Sequence, residues 1–485
     1  MSFSEYLSNY LSNNNLSISQ ASKIIGIDRS MLFRYTKGNR KPLNIETVED
    51  MAVRLCMSAK EKNEFLEEFD KQTLGDEVVS SFHFVNRLME TLSNADTFNN
   101  QHLSSVTADL YSNNYSFAKD TMYLTTPQAI VGCALHIFEN EKNSDNDVSL
   151  KLLMQPTYNK IEGMLTPVFG SSCKKIEQII CLEKTVEKCY TNLNSIEELV
   201  TPAFCLKNFY VYYHYDMVQS HLSTASLLPN LILTDNCALL FDYEMQKGYF
   251  TKDNEFIKLL DKHFLDLKNK CSPFLEKGSY TYAIKESNIV ITATKMGTIF
   301  KQPCIVPCFG SKILNEIIID FPMKKPLIDS LISIHGDWND MEHTPPTSYT
   351  LCLCSKDGIL DILRTGRIGE FPSKFYRPFT KEVKIILLKR MMYFYEKKIH
   401  DYKLLKSTAN LSNTIQVYWN PENHEVTLRY SSEDNIYQTN IAESSIYNTV
   451  TNYLDYIEKK QLCYTEEETE EFLKQALNMV INDEI

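Results

Sequence analysis

Leu16 to Pro42 reads LSISQASKIIGIDRSMLFRYTKGNRKP, and its spacing decides how the first part of the chain folds. Ser17 and Gln20 have the separation of a capping box, after which Ala21, Ile24 and Ile25 make a short apolar stripe. Gly26 then stands where a helix can close through a left-handed backbone. Asp28 is placed to cap another helix, with Leu32 and Tyr35 facing inward and Arg29, Ser30, Phe33 and Arg34 facing outward. Gly38 and Pro42 bracket the basic turn that ends it.

The same logic extends in both directions. Upstream, Phe3, Tyr6, Leu7, Tyr10 and Leu11 recur at the spacing of a buried helical face, and Ser2 with Glu5 forms a capping pair at its start. Downstream, Asn44 caps a helix carrying Ile45, Val48, Met51, Ala52 and Leu55, while Ser58 and Glu61 open another that carries Phe65, Leu66 and Phe69. Residues 1–76 therefore read as an all-α five-helix domain.

Leu16-Ser17, Ile25-Gly26-Ile27, Arg29-Ser30, Leu32, Arg34-Tyr35 and Gly38 with Arg40 and Pro42 together carry a resemblance. The segment resembles the Cro and repressor-like helix-turn-helix domains of bacteria and phages, also called the xenobiotic-response-element family. That resemblance implies that the third helix enters the major groove of double-stranded DNA while the turn after it lies on phosphates. By position, Arg29, Ser30, Phe33 and Arg34 become the base-edge candidates, and Lys37, Asn39, Arg40 and Lys41 the phosphate candidates. Three positions depart from the family pattern: Ile18 replaces an early glutamine of the second helix, Ser22 a small alanine, and Thr36 an acidic residue.

Charge sharpens this expectation. The chain has 50 Lys and Arg against 62 Asp and Glu, a net charge of −12, which disfavours a diffuse grip on nucleic acid. Between Gln20 and Pro42, however, six basic residues face one Asp, a local net of +5. An acidic body with a basic finger suits specific binding, and the modest grip of one finger implies a homodimer on paired half-sites.

The 485 residues suggest two to four domains, and 43% hydrophobic content is enough for large cores. No apolar run reaches the roughly 18 to 20 residues of a membrane span, and the amino terminus lacks a secretory pattern, so a soluble, cytoplasmic protein without a membrane partner is expected. The 13 scattered cysteines read as small buried hydrophobes in a reducing compartment. Abundant Tyr, Asn, Lys and Ile with scarce Trp and Gly suggests a low-GC bacterial genome.

Beyond the finger the pattern becomes mixed. A helix is expected over Val78–Leu92 and a polar linker or loop over Ser93–Asn114. Runs at Val148–Met154, Tyr158–Leu165, Ile176–Leu182, Ile196–Val200 and Phe209–Tyr215 then alternate, followed by a hairpin turned at Asp235-Asn236 and a helix over Asn254–Leu267. Residues 77–275 thus read as an α/β domain. In 276–485, strands are expected at Ile289–Ala293, Ile317–Phe321, Tyr349–Cys354, Thr414–Trp419, Glu425–Tyr430 and Ile436–Asn440, with helices near Leu360 and over Lys381–Lys397. This region reads as an α+β domain ending in two amphipathic helices that pack on a sheet, the second opened by Thr465 and Glu468. The expected class is therefore multidomain: a five-helix helix-turn-helix domain, then a large α/β to α+β region.

Catalytic signatures are sparse in that region. The run from His335 to His343 holds metal-ligand residue types without a fixed spacing and reads as a solvated loop. Cys304 and Cys308, with Cys352 and Cys354, match no common zinc module and read as core residues. Thr365 to Gly369 fits neither phosphate-binding fingerprint and reads as a turn, and His263 in DKHF does not begin the histidine-and-lysine pattern of phospholipase D-like enzymes. Tyrosine-rich Phe209–Tyr215 reads as a half-buried strand. The expectation is a chain without catalytic residues, metal or cofactor, and so not an enzyme: a DNA-binding transcriptional regulator whose large region senses an unknown small-molecule or protein effector and dimerises. The alternative is an effector or defence-type enzyme whose helix-turn-helix only autoregulates or docks a partner.

Overall fold

The computed structural model describes residues 1–93, 119–144, 149–170, 172, 174–183, 189–206, 208–216, 227–275, 295–322, 324–338, 349–406, 411–413, 415–431, 436–441 and 443–485. A helical region comes first, formed by α1 (Phe3–Asn13), α2 (Ile18–Ile25), α3 (Arg29–Thr36), α4 (Ile45–Arg54), α5 (Ala59–Leu74) and α6 (Asp76–Ser93). Local chemistry sets the ends of the first five. Ser2 with Glu5, Ser17 with Gln20 and Ser58 with Glu61 each make a reciprocal capping box, and the Asn44 side chain accepts from the Thr47 amide. Phe3, Leu7, Ala21, Ile25, Leu32, Val48, Met51 and Phe65 meet in one core, with the Phe3 and Phe65 rings stacked at 4.8 Å.

A mixed α/β region with two mixed sheets follows. Among the described residues, eight strands make the first sheet: β1 (Thr121–Leu124), β2 (Ser149–Leu153), β3 (Lys175–Glu183), β4 (Asn208–Asp216), β5 (Asn230–Leu233), β6 (Ala238–Phe241), β7 (Gly248–Thr251) and β8 (Ser272–Leu275). Their spatial order is β1-β7-β6-β5-β2-β3-β4-β8, parallel only within β2-β3-β4 and antiparallel elsewhere. In β3 every residue after Lys175 is buried, as expected for a strand covered on both faces. Its helices are α7 (Pro127–Asn143), α8 (Asn159–Phe169), α9 (Cys189–Cys205) and α10 (Asn254–Lys268).

Among the described residues, six strands make the second sheet: β9 (Lys295–Ile299), β10 (Tyr349–Ser355), β11 (His400–Leu405), β12 (Ile415–Asn420), β13 (Glu425–Ser431) and β14 (Ile436–Ile441). In the order β11-β10-β9-β12-β13-β14, the first three run parallel and the rest antiparallel. The helices of this part are α11 (Gly310–Ile317), α12 (Lys324–His335), α13 (Lys356–Thr365), α14 (Lys381–Glu396), α15 (Ser444–Lys459) and α16 (Glu466–Ile481). Leu387, Met391, Phe394, Tyr402, Leu404, Leu473 and Ala476 join the four cysteines 304, 308, 352 and 354 in its main core.

Several expectations change. Ile317–Phe321 is not a strand: α11 runs to Ile317, and Ile318 makes a single bridge to Tyr376. Apolar content alone does not separate a short strand from the end of a buried helix. Ile289–Ala293 and nearly all of the expected linker lie outside the described residues. The run at His335 is not wholly a solvated loop either. Trp338 packs its ring against Tyr393 and Phe394 under the Arg390 guanidinium, and Asp337 accepts the Ser311 amide at 3.3 Å.

By their contacts the residues group into two units, 1–85 with 448–461, and 86–447 with 462–485. Residues 448–459 of α15 group with the amino-terminal helices, while Tyr447 near its start stacks on Trp419 of β12 at 6.1 Å between ring centres. Tyr453 and Tyr456 of α15 stack on Phe82, at 5.6 and 4.2 Å between ring centres.

Candidate nucleic-acid interface

α3 is built outward from its cap. Asp28 Oδ1 accepts the amides of Ser30 and Met31 at 2.8 and 3.3 Å, and it also accepts the Ser30 hydroxyl at 2.5 Å. Those donors, the Ser30 hydroxyl foremost, hold the Asp28 carboxyl below its ordinary range, so it stays ionised at the positive end of the helix. Leu32 and Tyr35 are buried against the other helices, and this anchors the opposite face toward solvent.

On that face Arg29, Ser30, Phe33 and Arg34 are all exposed. Phe33 is 48% exposed, an unusual setting for a phenyl ring with a short apolar core beside it, and the Lys37 ammonium lies 6.0 Å from its centre. At 1.5 Å per residue, Arg29 and Arg34 are offset by about 7.5 Å along the axis, roughly two base-pair steps.

The turn after α3 is equally well determined. Gly38 has φ +71°, the Gly38 amide donates to the Tyr35 carbonyl at 3.2 Å, and the Asn39 amide reaches back to the Arg34 carbonyl at 3.0 Å. This is a Schellman closure, and it leaves Lys37, Asn39, Arg40 and Lys41 exposed in succession while Pro42 is buried. The unit thus brings all eight candidate residues onto α3 and the turn beside it, with none drawn into the core.

Two of the three departures from the family pattern are absorbed locally. The Ser22 hydroxyl donates to the Ser19 carbonyl at 3.1 Å and the Thr36 hydroxyl to the Phe33 carbonyl at 3.0 Å, so both sit buried and satisfied. Ile18 is half-buried against the helical core. One feature escaped the sequence reading: the Ser30 proton is already committed to Asp28, so toward a base this hydroxyl offers only its acceptor side. The signal was present in the Asp-Arg-Ser order, since a cap residue can engage a hydroxyl two positions on.

No protein-family profile matches the chain, and no curated protein matches it. Solved structures with some likeness include TrmBL2, an archaeal chromatin protein described with a novel mode of DNA binding, at 12% identity over 43% of this chain and 70% of that one, TM-score 0.23. Polyphosphate kinase from Porphyromonas gingivalis matches at 12% identity over 73% of this chain and 53% of that one, TM-score 0.24. Phosphatidylserine synthase from Haemophilus influenzae Rd KW20 matches at 8% identity over 78% and 98%, TM-score 0.21. Likeness this low assigns neither a family nor an activity.

The expectation that the chain is not an enzyme is nevertheless corrected. That expectation rested on missing motifs alone, which are no ground for excluding catalysis; two of the structures just named are enzymes, and likeness this low carries no activity from them to this chain. Among the described residues no group of three or more His, Cys, Asp or Glu side chains is disposed to hold a metal ion, and no helix is long and apolar enough to cross a membrane.

Proposed function

We propose that this protein is a sequence-specific DNA-binding transcriptional regulator. The reading rests on one observation: Arg29, Phe33 and Arg34 stand exposed on α3, with the basic turn from Lys37 to Lys41 exposed beside them. In this reading α3 enters the major groove of duplex DNA, Arg29, Ser30, Phe33 and Arg34 meet base edges, and Lys37, Asn39, Arg40 and Lys41 hold phosphates. Phe33 suits apolar contact with a thymine methyl, and the two arginines suit guanine edges. The acidic remainder of the chain keeps the grip local, and a homodimer would place two such helices on paired half-sites about one helical turn apart. The large mixed region is then the part that senses an effector and dimerises, altering the spacing of the two helices.

Selection of binding sites from random duplexes by the full-length protein tests the proposal. A conserved, two-fold motif in the selected pool is the expected outcome. A pool that stays random while duplex binding lacks a steep salt dependence would overturn it.

A further inference from the structure

The strands β12, β13 and β14 carry a row of polar side chains on one face of the second sheet. Cross-strand register sets Gln416 opposite Arg429 and Arg429 opposite Gln438, and sets Tyr418 opposite Thr427 and Thr427 opposite Asn440. These side chains are linked. Arg429 Nε and Nη2 donate to Gln438 Oε1 at 3.3 and 2.9 Å, Arg429 Nη1 donates to the Tyr418 hydroxyl at 3.2 Å, and the guanidinium carbon lies 4.9 Å from the Tyr418 ring centre. The Tyr418 hydroxyl in turn donates to Gln416 Oε1 at 2.5 Å.

One donor in this network has no acceptor. Gln416 is 2% exposed, its oxygen is occupied by Tyr418, and its Nε2 amide has no hydrogen-bond partner. A buried donor left unmet calls for an explanation, because desolvation removes its water without replacement. Gln438 is 1% exposed, whereas Arg429 between the two glutamines is half-buried, so the row opens toward solvent at its positive charge.

We propose that this face binds a small molecule through an oxyanion, a phosphate or carboxylate group, which accepts from Gln416 Nε2 and is balanced by Arg429. An acceptor-only, negatively charged group is what an unmet amide beside a guanidinium selects. Among the described residues, Glu370 is an acidic side chain within reach of the Arg429 charge, and its carboxyl is bonded elsewhere. Glu370 accepts the Ile305 amide at 3.3 Å and the Cys304 thiol, and burial pushes its carboxyl pKa up. The site does not depend on α3 reading DNA, and either reading can fail without the other.

Thermal melting of the full-length protein in phosphate, in acetate and in chloride at matched ionic strength tests it. A midpoint about 2 °C or more above chloride is expected in at least one of the two anions, and which one responds separates phosphoryl from carboxyl ligands. In Gln416→Glu the increment should vanish, because the new carboxylate takes the anion's place beside Arg429. Gln416→Met, which deletes the donor without adding charge, should weaken it at least tenfold and stands in if the glutamate variant loses its cooperative transition. In Lys37→Ala/Arg40→Ala the increment should remain, which separates this site from the basic turn. No increment in either anion, or one that persists in the Gln416 variants, would overturn the proposal.

Discussion

The Lys460 ammonium donates to both carboxylate oxygens of Asp70, at 2.9 and 3.0 Å, across 390 residues of sequence. The Tyr456 hydroxyl donates to the same carboxylate at 3.0 Å, and burial together with that charge pushes the phenol pKa up. Asp70 is 6% exposed, so these two partners replace the water its carboxylate has lost. Lys460→Met should lower the stability of the amino-terminal unit by about 2 kcal/mol, less than a fully buried pair because Lys460 keeps some solvent. Combining it with Asp70→Asn should restore part of that loss in a double-mutant cycle of urea melts; strict additivity would show that the two side chains are not coupled.

Leu32 and Phe33 are neighbours with opposite surroundings, 0% and 48% exposed. Leu32→Ala should cost about 2 to 4 kcal/mol through the cavity it leaves in the helical core. Phe33→Ala should change stability by less than about 0.5 kcal/mol yet weaken binding to a selected DNA site. Equal effects of the two on stability would mean the orientation of α3 is misassigned.

Arg34 and Lys41 should separate base reading from phosphate grip. Arg34→Ala is expected to lose about 1 to 3 kcal/mol and to relax preference at one base pair, whereas Lys41→Ala should weaken all duplexes alike and reduce the salt slope by about one. Fluorescence anisotropy on a selected site and a scrambled one, over a salt series, reads both.

Gly358 lies in the first turn of α13, where an added Cβ would stand 1.8 Å from the Lys301 carbonyl oxygen. The same carbonyl accepts the Ser355 hydroxyl at 3.1 Å, and the Ser355 oxygen accepts the Gly358 amide at 3.0 Å, so the cap and the preceding loop are locked together. Gly358→Ala should therefore cost about 3 kcal/mol, since backbone must move. A melting temperature equal to that of the parent would contradict this close approach.

Glu162 is 2% exposed, and burial pushes its pKa up to about 8. Its Oε2 accepts from Gln178 Nε2 at 3.2 Å, while Glu162 Oε1 and Gln178 Oε1 both lack a donor. A proton retained on the carboxyl supplies one. With an unfolded value of about 4.5, the folded state holds this proton more tightly, so its contribution is complete below pH 4.5 and is lost progressively as pH rises to about 8. Glu162→Gln should remove that slope, about 1.4 kcal/mol per pH unit at most, and should be the more stable form at pH 8 but not at pH 4.5. Parallel stability curves for the two proteins would show that Glu162 ionises normally.

Much of the amino-terminal fold was legible because its determinants are local. Ser2 and Glu5, Ser17 and Gln20, Ser58 and Glu61, and the left-handed glycines 26 and 38 all act within a few residues of themselves, and each helix limit follows from them. The exposure of Arg29, Phe33 and Arg34 follows from the burial of Leu32 and Tyr35 by helical periodicity. The hairpin at Asp235-Asn236 was readable for the same reason, and Leu233 does pair with Ala238.

Other elements were not visible. β1, β7, β8, β9 and α11 carry no distinctive cap or alternation of their own, and the strands among them acquire an identity only from their neighbours, as when β1 pairs antiparallel with β7. α7 does open on a Thr126 cap followed by Pro127, and β11 does alternate, signals the sequence reading passed over.

Sequence by itself determined the short-range features: the capped helices, the turn closed by Gly38, and the basic run that follows α3. Tertiary structure alone decided that Asp70 is answered by Lys460 and that Gln416 keeps an unmet amide beside Arg429. The physical reason is range. A cap or a left-handed glycine is set by atoms a few bonds along the chain, whereas the partner of a buried polar group is whatever side chain the packing of distant segments places within 3 Å of it.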